Sequence, residues 1–227
     1  MAESRASKAY ASSPCMAHEL DPAYLDPPEQ AAGVMRWRRA MRAELRGARS
    51  TLGVAARQDL ERALSEHLHT LIETRFDGAR GQVLSTYWPI KGEPDLRPFM
   101  ATLHRAGVTV ALPVVEQKAS PLTFRRWTPE AKMIRGDWNI PVPPPEAEKL
   151  TPDIMLAPVI GWTDEGYRLG YGGGYFDRTL AVCHPRPATI GIGLTQARLS
   201  TIYPQPHDIP LDLIVTEAGV MADRGAH

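Results

Sequence analysis

Apolar residues Val34, Met41, Leu45 and Leu52 recur at near-helical spacing between Gly33 and Leu52, and Arg36, Arg38, Arg39, Arg42, Arg46 and Arg49 fill much of the remainder. The spacing predicts a basic helix. A second helix is predicted from about Ala56 to Arg75, where Leu60, Leu64, Leu68, Leu71 and Ile72 share one face and Gly78 follows as a stop, so the two would form a helical hairpin. The period then changes. QVLSTYW at 82–88 reads as a strand, DLRPFMATLHRAG at 95–107 as a helix ending at Gly107, and VTVALPV at 108–114 as the next strand. Strand, helix, strand is the unit of a parallel sheet. PLTFRRW at 121–127 alternates like a strand, whereas 129–152, with its PVPPP run, reads as a long, largely irregular connection of the functional or mobile kind. DIMLAPVI at 153–160 is a buried strand, and a glycine-rich segment then leads into a helix from about Tyr175 to Val182. ATIGIGL at 188–194 and LDLIVTE at 211–217 add two more strands. The pattern predicts one α/β domain over 33–227, with helices on both faces of a mainly parallel sheet, preceded by the basic hairpin.

Composition narrows the class. The 227 residues carry 26 Lys plus Arg against 26 Asp plus Glu, a balance that excludes a protein held to a polyanion by bulk charge, so no nucleic-acid partner is expected. The 43% hydrophobic content suffices for a sizeable core. The longest apolar run, VTVALPVV at 108–115, is broken by Pro113 and falls short of the roughly 18 residues a spanning helix needs, so no membrane partner is expected. Cys15 and Cys183 are too few for a disulfide framework, and a cytoplasmic location follows as the expectation. Residues 1–32, with Pro14, Pro22, Pro27 and Pro28 among small and acidic residues, lack the apolar core of a secretion signal and read as a mobile extension.

The segment GYRLGYGGGYFDR, 166–178, joins a flexible backbone, a cation, aromatics and a carboxylate between a buried strand and a helix. Glycines at 170, 172, 173 and 174 let main-chain N–H groups approach an anion, and the helix start adds its positive dipole end. That combination predicts a phosphate cradle. Arg168 can neutralise developing phosphoryl charge, and Asp177 has the hard oxygen chemistry that Mg²⁺ prefers beside phosphates. Neither the GK[ST] of a P-loop nor the G-x-G-x-x-G of a dinucleotide fold is present.

On these residues the chain resembles the 5-formyltetrahydrofolate cyclo-ligases, also called methenyltetrahydrofolate synthetases. RLGYGGGYFDR is similar to the family signature, GEPD at 92–95 to its folate-side loop and NIPVP at 139–143 to its Ile-Pro segment; PLTFRRW, PHDIPLD at 206–212 and the VTE at 215–217 also match. The resemblance implies a Rossmann-like α/β fold of the phosphosugar isomerase and CoA-transferase type. It implies ATP and Mg²⁺ as cofactors, a reduced folate as small-molecule substrate and a monomeric state. Attack of the 5-formyl oxygen on the γ-phosphate of ATP, then of N10 on the activated formyl carbon, would give 5,10-methenyltetrahydrofolate. By the same resemblance Arg38, Arg42 and Arg49, with Arg168, Leu169, Gly170, Tyr171, Gly172, Gly173, Gly174, Tyr175 and Asp177, bind ATP. Glu93, Trp138 and Tyr175 contact the folate, Asp177 and Asp212 serve the metal, and Arg168 and Tyr175 are catalytic. Phe176 is expected in the core. One departure stands out: Thr163 follows Trp162 where many members have Asp, with the acid displaced to Asp164. A catalytically silent folate- or nucleotide-binding paralogue of the same fold is the alternative reading, and Thr163 is the feature on its side.

Overall fold

The computed structural model describes residues 31–225. The extension expected over 1–32, apart from its last two residues, and Cys15 lie outside the described residues. Two long helices come first, α1 (Ala31–Ser50) and α2 (Val54–Phe76). The second ends because Asp77 adopts the left-handed conformation and Gly78 follows with φ of 65°, a reversal that turns the chain toward the first strand.

The remaining elements are β1 (Val83–Ser85), α3 (Arg97–Arg105), β2 (Thr109–Val114), β3 (Thr123–Arg126), β4 (Ile134–Arg135), β5 (Pro141–Val142), β6 (Lys149–Leu150), β7 (Ile154–Pro158), β8 (Gly161–Trp162), β9 (Arg168–Leu169), α4 (Tyr175–Val182), β10 (Ala188–Ile192), β11 (Leu213–Thr216) and β12 (Gly219–Asp223). The main sheet has the order β12-β11-β10-β7-β1-β2-β3-β6. Its five central strands, β11-β10-β7-β1-β2, are parallel, and the flanking pairs are antiparallel.

Alternation along each parallel strand splits the core in two. Leu84, Val110, Leu112, Ile154, Leu156, Ile190, Ile192, Leu213 and Val215 meet Leu64, Leu68 and Ile72 of α2 and Phe99, Met100 and Leu103 of α3. The opposite face, with Ala111, Met155, Ala157 and Ile214, meets Leu180 of α4, and Phe176 packs against the same cluster. A fully buried leucine such as Leu64 or Leu68 contributes about 2 kcal/mol by leaving water.

This topology places the site. The chain leaves β1 through α3 to β2 on one side, then returns to β7 on the other side of β1. Right-handed crossovers in opposite directions put α3 and α4 on opposite faces and open a crevice beyond the carboxyl ends of β1 and β7, where open α/β sheets bind ligands. The loop after β1 carries Glu93, and the chain after β7 carries the glycine-rich segment.

The 129–152 connection is largely irregular, as expected, with β4 and β5 forming a small hairpin about Asp137–Asn139 and β6 extending the main sheet beside β3. One expectation needs correction: the pattern ends the last strand at Glu217, whereas β12 follows, antiparallel to β11. It is an edge strand, with Val220 45% exposed, so it lacks the continuous apolar signal of its buried neighbours.

Candidate active site at the carboxyl edge of the sheet

The glycine-rich loop is held from beneath. β8 and β9 form a short antiparallel ladder that delivers the chain to Gly170, and α4 begins at Tyr175 with Gly174 as its N-cap. Gly172 and Gly174 have φ of 92° and 62°, values that side chains resist, and no side chain caps α4. Its first-turn N–H groups therefore remain open to an anion. Arg42 of α1 donates from Nε to the Gly170 carbonyl at 2.6 Å, and its guanidinium lies 3.5 Å from where a Cβ on Gly172 would sit. Burial lowers the pKa of Arg42, as does the neighbouring Arg38 charge.

Arg168 anchors the other side of the loop. Its terminal nitrogens donate to the Ile209 carbonyl at 2.7 Å and to Asp177 Oδ1 at 2.8 Å, and the same Oδ1 accepts the Ile209 N–H at 3.1 Å. The Arg168 side chain is 6% exposed and stands 5.9 Å over the Phe176 ring. Burial lowers its pKa and the Asp177 charge opposes the fall. Arg178, on the first turns of α4, donates to the Gly173 carbonyl and lies 5.1 Å over the Tyr175 ring.

The loop after β1 meets the glycine-rich loop through Tyr171. Arg49, at the end of α1 and buried, donates from one terminal nitrogen to Tyr171 Oη at 2.9 Å and to the Lys91 carbonyl at 3.1 Å. The Lys91 Nζ lies 5.6 Å and the Arg46 guanidinium 6.0 Å from the centre of the Tyr171 ring. Cations from α1 and the β1 loop thus gather on residues 170–172. Glu93 lies beneath them, buried, accepting the Ile90 N–H on Oε2 at 2.8 Å, while its Oε1 has no partner among the described residues. Burial raises the Glu93 pKa against the opposing effects of the Ile90 amide, Tyr171, Arg49 and Lys91. Burial and the Glu93 charge push the Tyr171 phenol up to about 12.

An aromatic wall completes the crevice. Trp138 is 65% exposed, yet it meets Tyr175 edge to face at 5.7 Å. Trp138 and Asn139 both hold φ near 60°, at 54° and 62°, so the hairpin tip is bent to present the indole.

Arg42, Arg49, Glu93, Trp138, Arg168, the 170–174 segment, Tyr175 and Asp177 therefore share one rim. Three sequence expectations fall elsewhere. Arg38 spends all three guanidinium nitrogens on the segment 202–208, bonding the carbonyls of Ile202 and Tyr203 at 2.9 Å each and the Asp208 carboxylate. It clamps α1 to that segment. Leu169 is a core residue, packed with Met41 and Ile202. Asp212, 2% exposed, accepts the Thr189 N–H and hydroxyl and receives Arg186, which makes it a brace between β10 and β11. Among the described residues no group of three or more His, Cys, Asp or Glu side chains forms a metal cage. Asp177 Oδ2 remains as a single hard oxygen beside the glycine-rich loop. Thr163 is 1% exposed with its hydroxyl unpartnered among the described residues, and Asp164 pairs with Arg198. The departure at Thr163 thus lies in the interior.

Lys91, Arg46, Arg178 and Ile209 also join the site. Lys91 and Arg178 adjoin the GEPD and YFD motifs, a signal available in the sequence; Ile209 acts through main-chain atoms and left none.

A model of the 5-formyltetrahydrofolate cyclo-ligase family matches residues 34–217. The 5-formyltetrahydrofolate cyclo-ligase of Haemophilus influenzae is 28% identical over 186 residues, 78% of this chain and 97% of that protein. That of Escherichia coli K12 is 29% identical over 143 residues, 60% of this chain and 79% of its own. The solved 5,10-methenyltetrahydrofolate synthetase of Aquifex aeolicus superposes with a TM-score of 0.69 at 27% identity, covering 84% of this chain and 94% of that one. The match spans the sheet from β1 to β11, the glycine-rich loop and the loop of Glu93, and the chain belongs to the 5-formyltetrahydrofolate cyclo-ligase family.

Proposed function

We propose that this protein uses ATP to convert 5-formyltetrahydrofolate to 5,10-methenyltetrahydrofolate, with release of ADP and phosphate. The observation that carries the reading is the rim itself: a cation-ringed glycine loop and a buried carboxylate with an unpaired oxygen lie at the same edge of the sheet. The fold relation to phosphosugar isomerases and CoA-transferases is part of the same reading, resting on the parallel order and the loops at its carboxyl edge.

The triphosphate is assigned to the main chain of Gly170–Gly174, the first turn of α4 and Arg42, whose Nε bond already fixes its fork under the loop. Arg168 and Arg178 neutralise charge as the γ-phosphoryl group moves. Mg²⁺ held mainly by phosphate oxygens needs only one or two carboxylate ligands, and Asp177 Oδ2 fits that need; the ion would supply charge neutralisation between the phosphates. Glu93 Oε1 is suited to accept N–H groups of a pterin ring, and Trp138 and Tyr175 give that ring an aromatic surface.

The formyl oxygen attacks the γ-phosphorus and ADP leaves. N10 then attacks the activated formyl carbon and loses its proton, and the carbon–oxygen bond breaks with departure of phosphate. Holding two substrates in line accounts for most of the acceleration in such chemistry. A cytoplasmic monomer is the proposed working form.

The test is the near-ultraviolet absorbance of methenyltetrahydrofolate after mixing the full chain, MgATP and 5-formyltetrahydrofolate. The expected result is a rise that requires both protein and ATP. Its absence in protein that binds both substrates by calorimetry would overturn the assignment of turnover.

A further inference from the structure

Lys91 occupies a position where a lysine costs conformational energy. Residues 90–93 form a tight turn closed twice, by the Glu93 N–H on the Ile90 carbonyl at 2.9 Å and by the Ile90 N–H on Glu93 Oε2 at 2.8 Å. Both central residues have positive φ, 50° at Lys91 and 76° at Gly92, and that region favours glycine or asparagine over a long side chain. The turn is fastened there to the glycine-rich loop, because one terminal nitrogen of Arg49 donates to the Lys91 carbonyl at 3.1 Å and to Tyr171 Oη at 2.9 Å. The Lys91 side chain reaches the same way, with its Nζ 5.6 Å from the centre of the Tyr171 ring. It is exposed and makes no ion pair among the described residues. An aromatic face holds an ammonium without consuming its charge on a carboxylate, so its N–H groups stay available to an anion.

We propose that Lys91 is a catalytic residue whose ammonium meets the γ-phosphoryl group of ATP as that group passes from the glycine-rich loop to the folate. The inference rests on the ATP and folate reading given above. Glu93, the folate-side carboxylate of that reading, belongs to the same turn, and Tyr171 of the nucleotide loop carries the ammonium, so Lys91 stands at the junction the group must cross. Arg46, 6.0 Å from the same ring, comes from α1 rather than from the folate-side turn. The bond from the formyl oxygen to the γ-phosphorus forms while the bond from that phosphorus to the bridging oxygen breaks. The electron pair leaves with ADP, and the ammonium keeps its proton. Its charge offsets the negative charge spread over the peripheral phosphoryl oxygens, and the twice-closed turn holds it in place before the reaction begins.

The variant to make is Lys91→Met, which removes the charge and keeps the stem along the Tyr171 ring, with Lys91→Arg as the conservative partner. Calorimetry in magnesium chloride follows binding of two probes, ADP and an ATP analogue whose β–γ bridge is a methylene group, and steady-state kinetics follow turnover. In Lys91→Met the analogue should bind about tenfold more weakly while ADP stays within about twofold of wild type, the loss of one charged contact made by the γ-group alone. The value of kcat should fall about a hundredfold, with affinity for 5-formyltetrahydrofolate within about twofold of wild type. Lys91→Arg should recover most of both losses, since it keeps the charge. Equal weakening of ADP and the analogue would place the contact elsewhere on the nucleotide and overturn the proposal. Weaker folate binding with both nucleotide affinities unchanged would leave Lys91 a support for the Glu93 turn and overturn it too, as would wild-type values throughout. If the wild-type protein binds both probes without turnover, the ratio of the two affinities still decides the contact while the assignment of turnover fails. If it binds neither probe, the ATP reading and the proposal fall together.

Discussion

Two buried charges lie at the same edge of the sheet and are treated in opposite ways. Arg168 is matched: each terminal nitrogen has an acceptor, and the Asp177 oxygen it meets also takes a backbone N–H. Glu93 is unmatched, with one oxygen on the Ile90 amide and the other without a partner among the described residues. A satisfied buried pair defines the shape of a loop, whereas a half-satisfied carboxylate costs free energy until a ligand completes it. The difference separates a charge that the fold satisfies before any ligand arrives from one that the fold leaves half-satisfied.

The largest effect that could break this contrast comes from Asp177→Ala. Leaving Arg168 buried without its carboxylate should cost about 3 kcal/mol of stability and at least about a hundredfold in turnover. Denaturant unfolding and the absorbance assay check the two parts; unchanged stability would mean that the pair is not the keystone of the loop.

Next comes the clamp at Arg38. Breaking its ion pair with Asp208 by Arg38→Ala should cost about 3 kcal/mol while leaving KM for ATP near its wild-type value, contrary to a nucleotide contact. Asp208 is pushed up by burial but held below the ordinary carboxylate range by Arg38 and the Gln205 amide. Its folded pKa being depressed, the stability it contributes is present above the ordinary 3.8 and is lost as pH falls through the lower folded value. Stability measured against pH should therefore show a shallower acid decline in Arg38→Ala.

Glu93→Gln gives the smallest change in stability, of opposite sign. Because the folded pKa of Glu93 is raised, ionisation in the folded state is disfavoured: its contribution is fullest below the ordinary 4.5 and is lost as pH rises through the folded value. At pH 7 the glutamine variant should be more stable by about 1 kcal/mol, with the advantage shrinking toward pH 4, and should bind 5-formyltetrahydrofolate more weakly. A variant less stable than wild type at neutral pH would remove the distinction between matched and unmatched charge.

The strand–helix–strand pattern was legible because burial writes a period into the chain. Leu84, Val110, Leu112, Ile154 and Leu156 line one face of the sheet, as their alternation implies, and α4 spans Tyr175–Val182 as the glycine boundary before it suggests. The edge strands β6 and β12 were not legible, since one exposed side leaves too few apolar residues to carry the period. In the site, the glycine-rich loop and its flanking Arg168 and Asp177 stood out by composition. Which arginine of α1 does what did not: Arg38, Arg42 and Arg49 look alike in a row, yet one clamps the segment 202–208, one underlies Gly170, and one ties Tyr171 to the β1 loop.

The sequence by itself determined the class of fold, the glycine-rich loop between a buried strand and a helix and the family to which the chain belongs, because periodicity, glycine content and motif are local properties. Tertiary structure alone decided that Asp212 braces two strands, that Thr163 lies in the interior and that one oxygen of buried Glu93 has no partner among the described residues. The role of a charged side chain depends on which partners arrive from distant segments to complete its hydrogen bonds, and Arg49 and Tyr171, 122 positions apart, are brought together only when the sheet forms.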